Sequence, residues 1–210
     1  PTGAYTGTLP DGAQAKLEGG GSGEYGKGLA FYNNAAHSIA SIYINGEATV
    51  TLPDGQKVKV QDQALNYSEA GMLLNFVPSE EVSCLLPNGL KVTLNGSGST
   101  DKNTFYPDGK VQSVVLAAPM LYDLNGQQVY VGGGNSWSAL SYHPDGTLKY
   151  IGLETPAEVE LPGLGKLKVH SLAYHEDGSL QEVHLAGLQE LWCSVKNIRL
   201  IRSLLIRMAA

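Results

Sequence analysis

The sequence predicts an all-β fold: about five tandem β-hairpin repeats of about 37 residues, stacked or meandering as one antiparallel sheet, with a C-terminal α-helix. Three observations predict it. The 210 residues include 26 glycines and only 16% charged residues, a turn-dense composition. An aromatic residue recurs at Phe31, Tyr67, Phe105, Tyr142 and Tyr174, at spacings of 36, 38, 37 and 32 residues. Turns of the Leu-Pro-Asp-Gly kind interleave with these aromatics along the chain.

Each element has its origin in local chemistry. Leu9–Gly12, Leu52–Gly55, Leu86–Gly89, Leu124–Gly126 and Leu161–Gly165 form one set of turns. A second set comes after the aromatics, with Ala35, Gly71, Gly109, Gly146 and Gly178 in one column. Asp-Gly and Asn-Gly supply the positive φ of tight hairpins, and Pro fixes its own φ in advance. The flanks, such as "KVQSVVLA" after Gly109 and "QKVKV" after Gly55, are strand-like. One unit therefore reads as two linked hairpins that need a neighbour to cover their apolar faces. The units run at about 7–45, 46–79, 80–118, 119–155 and 156–187, giving a repeat domain over 1–187 and a distinct segment over 188–210.

Between the turns lie variable loops, and the first of them holds "GSGEYGKG" (Gly21–Gly28), one residue short of a phosphate-binding loop. That loop needs a helix N-terminus after it and a hydroxyl for Mg²⁺ where Gly28 stands. From Gly28 the chain instead runs "GLAFYNN", the aromatic strand of the repeat, so the segment reads as a glycine-rich loop and no nucleotide is expected.

The segment Leu188–Ala210 breaks the pattern. It lacks turn residues and sets Leu188, Leu191, Trp192, Val195, Ile198, Ile201, Leu205 and Met208 at helical spacing. A helical cap on the stack is the first reading. A membrane-surface helix, given Lys196, Arg199, Arg202 and Arg207, and a sequence foreign to the fold are the alternatives.

The bulk charge excludes some functions. A net charge of −6 gives no basic stripe for nucleic acid. No apolar run approaches the roughly 20 residues that span a bilayer. A chain beginning at Pro1 reads as a processed product, from which a leader would be lost. Cys84 and Cys193 form no metal pattern and read as buried thiols first, a long-range disulfide second.

No catalytic, cofactor or metal constellation emerges. His143 and His175 share a repeat column, but one unit of separation is at least two strand spacings of about 4.8 Å, too far for one ion. His170, His175 and His184 lie in one unit without a carboxylate or thiol at ligand spacing, and read as strand or surface residues. Asp11, Asp54, Asp108, Asp145 and Asp177 sit in turns, where the side chain bonds nearby N–H groups. Glu80, Glu81, Glu158 and Glu160 remain open as a carboxylate pair. The aromatic column reads as a stacked ladder inside the core, with an exposed sugar- or polymer-binding platform as the alternative.

The aromatic-x-x-Asp-Gly hairpins at Phe105–Val111, Tyr142–Leu148 and Tyr174–Leu180 resemble MORN-type and Tyr-Asp-type β-hairpin repeats of bacterial proteins. The resemblance covers 7–187, though those hairpins repeat at a shorter period. It implies a cell-envelope, toxin-delivery or antitoxin setting and lends no catalytic residue. "YHPDGTL" also resembles the turn of WD-repeat propellers, without their Gly-His and Trp-Asp signatures. The expectation is a non-enzymatic binding or structural module, envelope or extracellular, with a protein or carbohydrate partner. A cytoplasmic protein-interaction module, antitoxin-like or propeller-like, is the first alternative, and a hydrolase with an unrecognised site the second.

Overall fold

The computed structural model describes residues 3–19, 28–95, 102–132, 139–187, 189–192, 199–201 and 204–207. Every regular element in them is a β-strand. The first are β1 (Gly3–Thr8), β2 (Gln14–Gly19), β3 (Leu29–Phe31), β4 (Ile39–Tyr43), β5 (Glu47–Thr51), β6 (Lys57–Gln61) and β7 (Ala64–Tyr67). Next come β8 (Leu73–Phe76), β9 (Val82–Leu85), β10 (Lys91–Leu94), β11 (Asn103–Phe105), β12 (Val111–Val114), β13 (Met120–Leu124) and β14 (Gln127–Val131). The last are β15 (Leu140–Tyr142), β16 (Leu148–Leu161), β17 (Gly165–Tyr174), β18 (Leu180–Leu185), β19 (Gln189–Trp192), β20 (Arg199–Ile201) and β21 (Leu204–Arg207).

Two kinds of hairpin alternate. Those that carry the aromatic column join edge to edge in the order β3-β4-β7-β8-β11-β12-β15-β16-β17-β18, an antiparallel meander. The others are β1–β2, β5–β6, β9–β10, β13–β14 and the second half of β16 with the first half of β17. Both kinds turn their apolar residues into one shared core. The alternation of β5 and β6 shows why: Ala48, Val50, Val58 and Val60 are buried while Glu47, Lys57 and Lys59 face out.

The two rows connect at one end. Bridges tie Leu17 to Ile44, Val60 to Pro78 and Leu94 to Leu116, and β16 passes unbroken between rows through a register shift at Gly152/Ala157. At the other end the two sets of turns meet. An added Cβ on Gly71, Gly109 or Gly146 would lie 3.2, 2.9 or 3.2 Å from the Cβ of Pro10, Pro53 or Pro87.

Both sets use one turn design. The N–H of Gly12, Gly55, Gly89, Gly109, Gly146 and Gly178 donates to the carbonyl three residues back at 2.9–3.0 Å. The Asp or Asn before each glycine accepts from the N–H two residues on, as in Asp145 with Thr147 at 2.9 Å. The expected positive φ falls on the glycine and not on the Asp. The reason is the Pro that begins most of these loops, which sets a right-handed turn that the glycine then closes. Asn125 and Gly126 do both have positive φ, 54° and 83°, in the two-residue loop between β13 and β14.

The residues described within 188–210 are strands, and the helix expected there is not seen among them. β20 pairs in parallel with β18, and β19 with β21. Ile201 and Ile206 are β-branched, and an open sheet edge at β18 offers pairing that helical spacing cannot reveal. The rest of that segment lies outside the described residues. No helix of the described residues is long and apolar enough to cross a membrane.

Candidate functional site

Tyr67, Phe105, Tyr142 and Tyr174 are buried, whereas Phe31 is 54% exposed at the end of the sheet and departs from the expected core role. They do not form a stacked ladder either. Successive members stand two strands apart, about 9–10 Å, beyond the 4.5–7 Å of ring pairs. Phe105 instead stacks on Phe76 of the adjoining strand, with centroids 5.8 Å apart and planes 3° from parallel. Burial raises the Tyr67 and Tyr142 phenols well above their usual value and the Tyr174 phenol to about 12. Among the described residues the Tyr67 hydroxyl has no hydrogen-bond partner, while the Tyr142 hydroxyl faces that of Tyr122.

The residue after three of the aromatics joins neighbouring hairpins. Tyr32 Oη donates to the Tyr67 carbonyl at 2.8 Å, and Tyr106 Oη to the Tyr142 carbonyl at 2.8 Å. His143 Nε2 makes the same bond to the Tyr174 carbonyl at 2.9 Å, which places the ring proton on Nε2. Ser68 is too short for the reach, and its hydroxyl accepts from the Met72 N–H within its own turn. His143 is thus committed to the fold. Its Nδ1 lies 4.0 Å from Glu176 in an open, shallow depression that also includes His175 and Asp177. His184 contacts Glu182, and among the described residues no three His, Cys, Asp or Glu gather as for a metal ion.

A cleft of about 450 Å³ opens where the two sets of turns meet. Its walls include Leu52, Pro53, Cys84, Leu86, Phe105 and Val111, with Asp54, Lys110 and Asp145 at its mouth. Cys84 is a free buried thiol, pushed up to about 11 chiefly by that burial. Asp145 is held below the usual carboxylate range, first by the Thr147 hydroxyl and then by its N–H. A hydrolytic pair needs a carboxylate raised by its surroundings, and Asp145 is shifted the other way. Glu80 lies 3.8 Å from Lys59, while Glu158 and Glu160 share one exposed strand face.

The sequence points to the sheet faces as a binding surface without naming the residues of the outer face of the meander. Cross-strand pairing sets Ala30, Ser41, Asn66, Asn75, Thr104, Ser113, Ser141, Tyr150, Ala173 and Glu182 in one continuous row. Thr104 and Ser113 share a hydrogen bond of 2.6 Å between their hydroxyls. Lys102, its ammonium destabilised by partial burial, donates to Asn75 Oδ1 at 3.4 Å and to the Ala64 carbonyl at 2.7 Å. The signal was present in the repeat. Ala30, Asn66, Thr104, Ser141 and Ala173 each precede a column aromatic, so period-two alternation turns them outward. Asn75, Ser113, Tyr150 and Glu182 each stand four residues after a turn glycine.

The glycine-rich stretch 20–27 lies outside the described residues, but Gly28 leads into strand β3, not a helix. Comparison with protein-family models, with curated proteins and with solved structures finds no match.

Proposed function

We propose that the chain is a non-enzymatic repeat module of five units, each one hairpin of either kind, whose outer sheet face binds an extended carbohydrate or protein partner. The observation that carries the reading is the cross-strand row from Ser41 to Tyr150. It offers short hydroxyl and amide side chains at regular strand spacing on a rigid sheet. Such groups both donate and accept, as saccharide hydroxyls and peptide backbones require. The resemblance to MORN-type hairpins supports an envelope or extracellular setting. The free buried thiol of Cys84 favours the second reading, a cytoplasmic protein-interaction module, since reducing compartments keep thiols unpaired.

The test is co-sedimentation with insoluble chitin, cellulose and peptidoglycan, using the native chain and the Asn66→Arg and Ser141→Arg variants. Retention of the native chain, lost in both variants with unchanged melting, is the expected result. Retention that survives both substitutions would move the site off this face. Failure to bind any polymer would leave a protein as the partner.

A further inference from the structure

Every interior junction of the meander is completed by a paired strand and an enclosed aromatic, and three of the four also by a packed turn. At three of the junctions a side chain of one hairpin also donates to the aromatic carbonyl of the next, as described for Tyr32, Tyr106 and His143. The turn packing is offset. Gly71 rests on Pro10, Gly109 on Pro53 and Gly146 on Pro87, in each case one second-row turn further back than the chain neighbour.

The β3–β4 hairpin lacks all of these on its outer side among the described residues. β3 ends the sheet, and Phe31 is 54% exposed where its counterparts are at most 8%. The hydrogen-bond parity is informative. The Gly28 carbonyl accepts from the Tyr43 N–H, and the Tyr32 N–H donates to the Ser38 carbonyl. Antiparallel alternation then turns the N–H and C=O groups of Leu29 and Phe31 away from β4. Equivalence with Tyr67, Tyr142 and Tyr174 aims the Phe31 carbonyl at the place from which a preceding Tyr or His would donate.

We infer that the β3 edge is a docking site for a β-hairpin of the repeat's own kind, supplied by another protein. Its open strand pairs with Leu29–Phe31, its body covers the Phe31 ring, and the Tyr or His after its aromatic donates to the Phe31 carbonyl. A second copy of this chain does not offer that hairpin at its opposite end, because β20 already occupies the outer side of β18. The partner therefore carries an aromatic-[Tyr/His]-x-Asp-Gly hairpin with a free edge. This mode is strand addition, in which main-chain bonds give affinity and the side-chain pocket gives selectivity. It stands independently of what the outer face binds.

The probe is a peptide of residues 102–117, cyclised through added terminal cysteines to hold the hairpin and titrated into the ¹⁵N-labelled full chain. Saturable shifts at Leu29, Ala30, Phe31 and Tyr32 are expected. Phe31→Lys, which places a charge on the edge, and Leu29→Pro, which removes an outward donor, each weaken binding by about tenfold or more. A peptide with Tyr106→Phe binds more weakly than the parent. Should Leu29→Pro fail to fold, Phe31→Lys carries the comparison. Saturable shifts elsewhere, or none up to the solubility limit, would overturn the inference. So would a dimer of the native chain that the edge substitutions abolish while the peptide has no effect.

Discussion

Tyr67 and Phe31 hold the same place in the repeat, yet one is 2% exposed and the other 54%. Position in the stack, not residue type, sets what each contributes. Phe105→Ala and Tyr142→Ala each empty a buried site and are expected to cost about 3–5 kcal/mol in urea unfolding. Phe31→Ala should change stability by no more than about 0.5 kcal/mol. Tyr67 carries a further cost, since its buried hydroxyl has no partner among the described residues. Tyr67→Phe is therefore expected to gain about 1 kcal/mol, read as a higher urea midpoint with unchanged slope. The five aromatics were legible as a column because each precedes a turn that only certain residues can make. Which of them lay inside was not, because burial of Phe31 depends on a neighbour that sequence spacing does not count.

Between elements, the turns and the junction bonds carry separable energies. Gly55 and Gly109 have nearly equal φ, 87° and 86°, but an added Cβ meets nothing at Gly55 and Pro53 at 2.9 Å at Gly109. Both alanine variants incur left-handed strain of about 1–2 kcal/mol. Gly109→Ala should cost measurably more than Gly55→Ala by thermal melting, and the difference reports the contact between rows. His143→Phe removes the donor to the Tyr174 carbonyl and is expected to cost about 1 kcal/mol. His143→Tyr should restore it, since Tyr32 and Tyr106 already make that bond. The hairpins themselves could be read from Asp-Gly and Asn-Gly and from alternation in "QKVKV" and "KVQSVV". The two sets of turns could also be told apart, but not that they lie in separate rows, because Leu-Pro-Asp-Gly and Tyr-Pro-Asp-Gly code for one turn and differ mainly in what the first residue packs against. The described part of the tail shows a related ambiguity: Leu, Ile and Arg at helical spacing also suit a strand once an open edge at β18 is there to pair with.

For the molecule as a whole, the shifted groups frame a window of stability. Asp108, Asp145 and Asp177 are held below the usual carboxylate range, chiefly by the Lys110 N–H, the Thr147 hydroxyl and the Ser179 hydroxyl. Folding lowers these values, so their contribution is present above the ordinary 3.8 and is lost as pH falls through the folded values. Cys84 and Tyr174 move the other way, up to about 11 and about 12 by burial. Their contribution is full below the ordinary 9.0 and 10.0 and is lost as pH rises past them. Urea unfolding across pH should show a plateau from about 5 to 8, with Asp145→Asn flattening the acid limb. The same stack predicts a gradient of protection. Amides of Ala30 and Ser41, at the open end, are expected to exchange with deuterium before those of Ser113 and Ser141. The offset between rows has one more consequence, for how such a chain changes length. Because Gly71 rests on Pro10, Gly109 on Pro53 and Gly146 on Pro87, a gain or loss of one complete pair of hairpins preserves this pattern of seated turns. Losing a single hairpin would instead set turn against turn of the wrong row. Lineages of this fold are thus free to vary in whole copies and barred from halves, so their lengths should differ by multiples of one unit.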